Sequence, residues 1–146
     1  MTVAPEIKGW CPGALRPMPS GDGLVVRIRP PLGRLTPAQA AAIARAASTH
    51  GNGIIDLSAR ANLQLRGVTE ASHGMLIDDL RAQGLIDPDI ETESLRNLIV
   101  TPFRNATTAD LAATLTAALA RMPQLPGKFG FALDTGPPPH ADRGFG

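Results

Sequence analysis

Cysteine is almost missing from this chain: Cys11 is its one thiol. A single cysteine builds no internal disulfide, no zinc site and no iron–sulfur cluster, so any such centre would need ligands from elsewhere. Tyrosine is absent and aromatic residues make up only 3%, which removes the stacking platforms used by binders of single-stranded nucleic acid. Lysine is confined to Lys8 and Lys128, and Lys plus Arg total 14 against 13 for Asp plus Glu. That balance gives no surplus charge to attract nucleic acid or an anionic membrane. No apolar run approaches the ~18 residues of a membrane span, and the start MTVAPEIKGW has no signal-peptide core. The expectation is a cytoplasmic protein with no membrane and no nucleic-acid partner.

What is present suits a packed interior. Hydrophobic residues reach 43% and charged residues 18% over 146 positions, enough for one domain or two small lobes sharing a core. The most ordered pattern is GIIDLSARANLQLRG, residues 53–67. From Asp56 to Arg66 it alternates: Leu57, Ala59, Ala61, Leu63 and Leu65 on one parity, and Asp56, Ser58, Arg60, Asn62, Gln64 and Arg66 on the other. Period two predicts an extended chain with an apolar and a polar face. The alternation is too long for an ordinary strand, which predicts two segments joined by a kink near Ala61 and Asn62. The polar face carries Ser, Asn, Gln and Arg, directional groups suited to carboxylates and oxyanions as well as to a wetted sheet surface.

Around this stretch the other elements fall into order. Residues 1–23 are broken by Pro and Gly and predict a loop. LVVRIR, residues 24–29, predicts a strand with Arg27 and Arg29 opposite Val26 and Ile28. Thr36-Pro37-Ala38-Gln39 is a capping-box start for a helix reaching His50, and Thr69 caps a second helix ending near Gly84. Residues 87–94 are acidic and predict a connector; residues 95–100 predict a short strand. A third helix is expected from a Thr107 or Thr108 cap, and a last strand from Lys128 to Asp134. The residues after Gly136 read as tail or linker. This order predicts an α+β fold, with helices on one face of a mainly antiparallel sheet whose other face stays free for a ligand or a second lobe. On that free face, strand parity collects Arg27 or Arg29, Arg60 or Arg66, Arg96 and Lys128 as one candidate cationic patch. None of His50, His73 and His140 is placed as a base.

Four blocks, WCPGALRPMPSGDGLVVRIRP, HGNGIIDLSARANLQLRG, RNLIVTPF and LPGKFGFALDTG, follow one another as in the amino-terminal half of the precorrin-3B synthase family, within the nitrite and sulfite reductase superfamily. The chain resembles that half over most of residues 10–136. The resemblance implies a ferredoxin-like half domain at 23–86, preceded by an arm at 1–22. It further implies the start of a second α/β lobe at 87–136 and a tail at 137–146. It also implies a tetrapyrrole site at Arg27, Arg29, Arg60, Asn62, Gln64, Arg66, Arg96 and Lys128. In the complete family enzyme, an oxidoreductase of cobalamin biosynthesis, precorrin-3A is hydroxylated with dioxygen and lactonised, using an iron–sulfur cluster and a further iron centre. Two departures stand out. Lys128-Phe129-Gly130 lacks the second lysine of sulfite-reducing members, and the family's four cluster cysteines have no counterpart here. The expectation is therefore half of an enzyme that binds no cofactor alone, whose partners are a precorrin-3A-like tetrapyrrole and the carboxy-terminal half that would bring the four-iron four-sulfur cluster. A siroheme-binding sulfite or nitrite reductase fragment and a non-catalytic tetrapyrrole-binding module are the alternatives.

Overall fold

In a computed structural model, residues 10–136 are described; the expected tail at 137–146 and the first part of the expected arm lie outside them. Strand β1 (Met18–Ser20) turns through Gly21 and Asp22 into β2 (Gly23–Ile28), and helix α1 (Pro37–His50) follows. Strands β3 (Ile55–Leu57) and β4 (Leu63–Val68) come next, and then helix α2 (Glu70–Ala82). The sheet is antiparallel throughout, in the order β1-β2-β4-β3. From β2 onward this is the strand-helix-strand-strand-helix half of a ferredoxin-like fold, with β1 covering the edge beside β2.

Local chemistry explains the helix limits. Thr36 Oγ1 accepts from Gln39 N at 3.1 Å while Gln39 Oε1 accepts from Thr36 N at 3.0 Å, closing the capping box with Pro37 at the first helical position. Thr69 and Ser72 do the same for α2. Both helices cover the apolar sheet face, where Val26, Ile28, Leu65 and Val68 are fully buried against Ile43, Ala47, Leu76 and Leu80. Leu24 faces Val68 and Val26 faces Leu65, so β4 carries one residue more than β2 between the two pairs. Gly67 absorbs it at φ +66°, where an added Cβ would lie 2.7 Å from the Asn52 side chain. This bulge turns Val68 onto the same face as Leu65.

The long alternating stretch is a hairpin and not a kinked strand. Residues 58–62 reverse the chain, with Ser58 N donating to Asn62 O at 2.9 Å and Ala61 N to Ser58 O at 3.1 Å. Ala61 holds φ +55°, a conformation usually left to Gly or Asn. Period two runs through this turn without a breaker residue, so the sequence alone hides it. Leu57 is corrected accordingly: at the end of edge strand β3 it is 82% exposed, whereas Leu65 is 0%.

Beyond Leu85 the chain departs further from expectation. Residues 87–94 include a helix, α3 (Ile90–Leu95), whose N-cap Asp89 accepts from Thr92 N at 2.6 Å. Strand β5 (Leu98–Val100), helix α4 (Ala106–Leu119) and strand β6 (Phe131–Leu133) then make a β-α-β unit with a parallel β5-β6 pair. Asn105, not Thr107 or Thr108, caps α4, with Thr108 completing the capping box. Arg96 thus lies at the C-cap of α3, and Lys128 in a turn that Phe129 N closes onto Pro126 O at 2.8 Å. Neither stands on a strand. Among the described residues no helix is long and apolar enough to cross a membrane.

Candidate functional site

The sheet face away from α1 and α2 is crossed by a polar row. Arg27 on β2 pairs with Gln64 on β4, which pairs with Asp56 on β3. Cross-strand partners share a face, and the Arg27 guanidinium donates to Gln64 Oε1 from Nη2 at 2.8 Å and Nε at 3.3 Å. Arg60 projects from the hairpin turn and donates to Lys128 O at 3.2 Å, binding the turn at 127–128 to this face. Burial is the main cause pulling Arg27 below its ordinary pKa; the Cys11 thiol beside it opposes the shift and Arg60 adds to it. Arg27 remains a cation, because a guanidinium starts far above neutral pH. Cys11, Arg27, Arg60 and the Lys128 backbone therefore form one neighbourhood.

The remaining expected residues divide. Asn62 is buried, and its backbone closes the hairpin: its carbonyl accepts from Ser58 N and its N–H donates to Ser58 Oγ. Arg66 lies on the same polar parity but is drawn to the sheet edge. It donates to Asp22 Oδ1 at 2.9 Å and Oδ2 at 3.0 Å, and to Ser20 Oγ at 3.0 Å. The hydrogen bonds between them raise the Arg66 pKa and lower that of Asp22, so Arg66 already has its carboxylate. Arg96 is engaged too: Asp87 accepts from its Nε at 2.8 Å and Nη2 at 2.9 Å, and Arg29 O accepts from Nη2 at 2.8 Å. The Lys128 side chain is exposed.

Arg29, just past β2, is 8% exposed and donates from Nη1 to the backbone carbonyl of Glu93. Glu93, itself 4% exposed, turns its carboxylate to Ala14 N at 2.5 Å and Leu15 N at 3.3 Å. Burial raises the Glu93 pKa against these hydrogen bonds and the pull of Arg29; burial likewise lowers that of Arg29. His73 Nε2 meets Ala14 O at 2.8 Å, and Arg16 stacks over Trp10 with 4.1 Å to the ring centroid. Trp10, Arg16 and Glu93 escaped the sequence reading. The Asp89-to-Thr92 cap spacing would have revealed the helix carrying Glu93, but no local pattern links Glu93 to Ala14, 79 residues away.

Two cavities adjoin these groups. One of about 470 Å³ is mostly apolar, with Leu32, Leu85, Ile86 and Leu98 in its wall beside the Arg96–Asp87 pair. The other, about 250 Å³, is bounded by Trp10, Cys11, Arg16, Arg29, Glu93 and Gln124 among others. For an iron–sulfur cluster the donor set does not fit, since Cys11 supplies one thiolate and a cluster takes about four. Among the described residues no group of three or more His, Cys, Asp or Glu side chains is arranged to hold a metal ion.

Comparison with known proteins agrees with this topology. Residues 16–83 match the model of the nitrite/sulfite reductase ferredoxin-like half domain, a span that starts just before β1 and ends just after α2. A precorrin-3B synthase of Sinorhizobium sp is 52% identical over 71 residues. That alignment takes in 49% of this chain and 16% of the relative, so the chain spans only a small part of the relative's length. No solved structure matches the chain. Residues 16–83 are thus similar to the nitrite/sulfite reductase ferredoxin-like half domain, over somewhat less than half of the chain.

Proposed function

We propose that this chain is the amino-terminal part of a precorrin-3B synthase-like oxidoreductase of cobalamin biosynthesis, and that it binds a carboxylated tetrapyrrole on its Arg-bearing sheet face. The observation that carries the reading is the polar row on the half domain, Arg27 and Gln64 with Arg60 beside them, on the sheet face that α1 and α2 leave uncovered. The relationship to a precorrin-3B synthase adds the substrate class. Acetate and propionate arms are bidentate acceptors, and an arginine fork gives them orientation as well as affinity. Arg27 and Arg60 are the leading contacts, with Arg29 behind them. Arg66 and Arg96, already paired with Asp22 and Asp87, hold the frame instead.

Redox chemistry in this reading depends on a cluster whose thiolates come from a carboxy-terminal partner segment, in a cytoplasmic enzyme. The test is a titration of the chain with an octacarboxylate porphyrin, followed in the porphyrin absorption at low salt. Arg60→Ala is expected to weaken binding by about tenfold, the weight of one charge-assisted hydrogen bond, and Arg66→Ala to leave it nearly unchanged. Equal affinity for wild type and Arg60→Ala would reject the sheet-face site. Selective retention of siroheme over the octacarboxylate would reject the precorrin branch.

A further inference from the structure

The 250 Å³ cavity beside the sheet face has donors that the fold leaves unused. Among the described residues, Trp10 Nε1 and Arg29 Nε are the buried side-chain nitrogens that find no hydrogen-bond acceptor, and both residues line this cavity. Buried N–H groups are nearly always satisfied, because an unpaired one keeps its full desolvation penalty, so two in the wall of one cavity point to an acceptor that belongs there. Arg29 is not a surface cation; it is 8% exposed and fixed by its bond to the Glu93 carbonyl. Arg16 adds a second guanidinium, stacked on the Trp10 ring. The acid in the wall, Glu93, is itself engaged by Ala14 N and Leu15 N. Two guanidinium groups against one carboxylate leave a net positive wall, with Ser94 and Gln124 to complete it.

We infer that this cavity is a subsite for one carboxylate group, held between the Arg29 guanidinium and the Trp10 indole N–H. A carboxylate offers two oxygens to two donors from different side chains, and a volume of 250 Å³ admits an acetate- or propionate-sized group but no tetrapyrrole macrocycle. The subsite rests on the tetrapyrrole reading for its use of Arg29, while the cavity and the two unpaired donors that define it are tested without a macrocycle. The carboxylate arrives either as a free small acid or as one arm of a larger ligand.

Trp10 is the chain's one tryptophan and tyrosine is absent, so intrinsic emission reports on this cavity with no background. The full chain is titrated with sodium propionate at constant ionic strength, with sodium chloride as the exchanged salt. A saturable change in Trp10 emission is expected with propionate, and none with chloride alone. Gln124→Glu, an exposed position whose change leaves the fold intact, should raise the half-saturation by about tenfold or more through like-charge repulsion. Arg29→Lys, which keeps the charge but loses the fork, should do the same. An unsaturable response, an equal response to chloride, or unchanged propionate binding in Gln124→Glu would overturn the inference. Propionate is then added during the porphyrin titration. A weakened porphyrin affinity assigns the subsite to a macrocycle arm, and an unchanged one assigns it to a free acid. Failure of the porphyrin to bind, with Trp10 still saturating, would reject the tetrapyrrole reading and leave this one standing.

Discussion

The half domain and the segment after it are built by different means. In residues 16–83 one sheet face is sealed by two capped helices, and Val26, Ile28, Leu65, Val68 and Leu76 have no exposed surface. After residue 86 the sheet is a single parallel pair; both regions leave some large apolar groups outside, Leu57 at 82% exposure in the first and Phe103 at 93% in the second. Parallel strands are ordinarily covered on both faces. What fastens this second region to the first is polar: Arg96 to Asp87 and Arg29 O, Arg29 to Glu93 O, Glu93 to Ala14 N and Leu15 N, and Arg104 to Leu32 O at 3.0 Å. The first region is held by one large buried hydrocarbon core, whereas the second buries a smaller set, Val100, Ala112 and Leu119, and is fastened to the first by directional bonds that work only when both partners are in place.

The sharpest way to break this contrast is inside the half domain. Leu65→Ala should cost about 2 to 5 kcal/mol in urea unfolding, as deletions at fully buried leucines do. Leu57→Ala, one hairpin turn away on the same apolar parity, should stay within about 0.5 kcal/mol. Similar costs at the two positions would mean that β3 is covered at its Leu57 end.

The seam should give way at lower cost. Arg96→Ala leaves Asp87, only 12% exposed, without its bidentate partner. A loss of about 2 to 4 kcal/mol follows, because a carboxylate stranded away from water keeps its desolvation penalty. Hydrogen exchange should show the effect first in β5 and α3, with protection in β2 and β4 retained. Uniform loss of protection would show that the two regions unfold as one. A smaller effect, about 1 kcal/mol, is expected for Asn105→Ala at the start of α4, where the cap oxygen accepts from Thr108 N at 3.0 Å.

How much of this was legible in the sequence follows the same division. α1, α2 and β2 were readable because their signals are local: Thr-Pro-x-Gln for one start, Thr69 with Gly84 for the other, and Val26 and Ile28 against Arg27 and Arg29. The hairpin at 58–62 was not, because Ala61 takes a left-handed φ without a Gly or Asn to announce it. Strand β1 lies among prolines, and α3 begins in an acidic stretch with the composition of a connector. At the site, Arg27 and Gln64 are cross-strand partners on the polar face, but the diversion of Arg66 to Asp22 and Arg96 to Asp87 depends on partners that only the folded chain brings near.

The mildest test of the seam is pH, acting on Glu93. Burial raises its folded-state pKa above the ordinary carboxylate value, in spite of the Ala14 and Leu15 N–H groups and Arg29. Between those two values the native chain holds a proton that the unfolded chain has released. Stability therefore declines as pH rises through that window, is full below it and levels off above it. Asp22 and Asp89 have folded-state values below the ordinary one. Their contributions are present above that value and fade only in stronger acid, so the two effects separate along the pH axis. Urea midpoints measured from about pH 4.5 upward should fall in the wild type and stay flat in Glu93→Gln, which keeps the size and an acceptor for Ala14 N but does not titrate. Parallel curves for the two proteins would show that Glu93 is already ionised throughout, and that its two backbone N–H donors and Arg29 outweigh the cost of burying it.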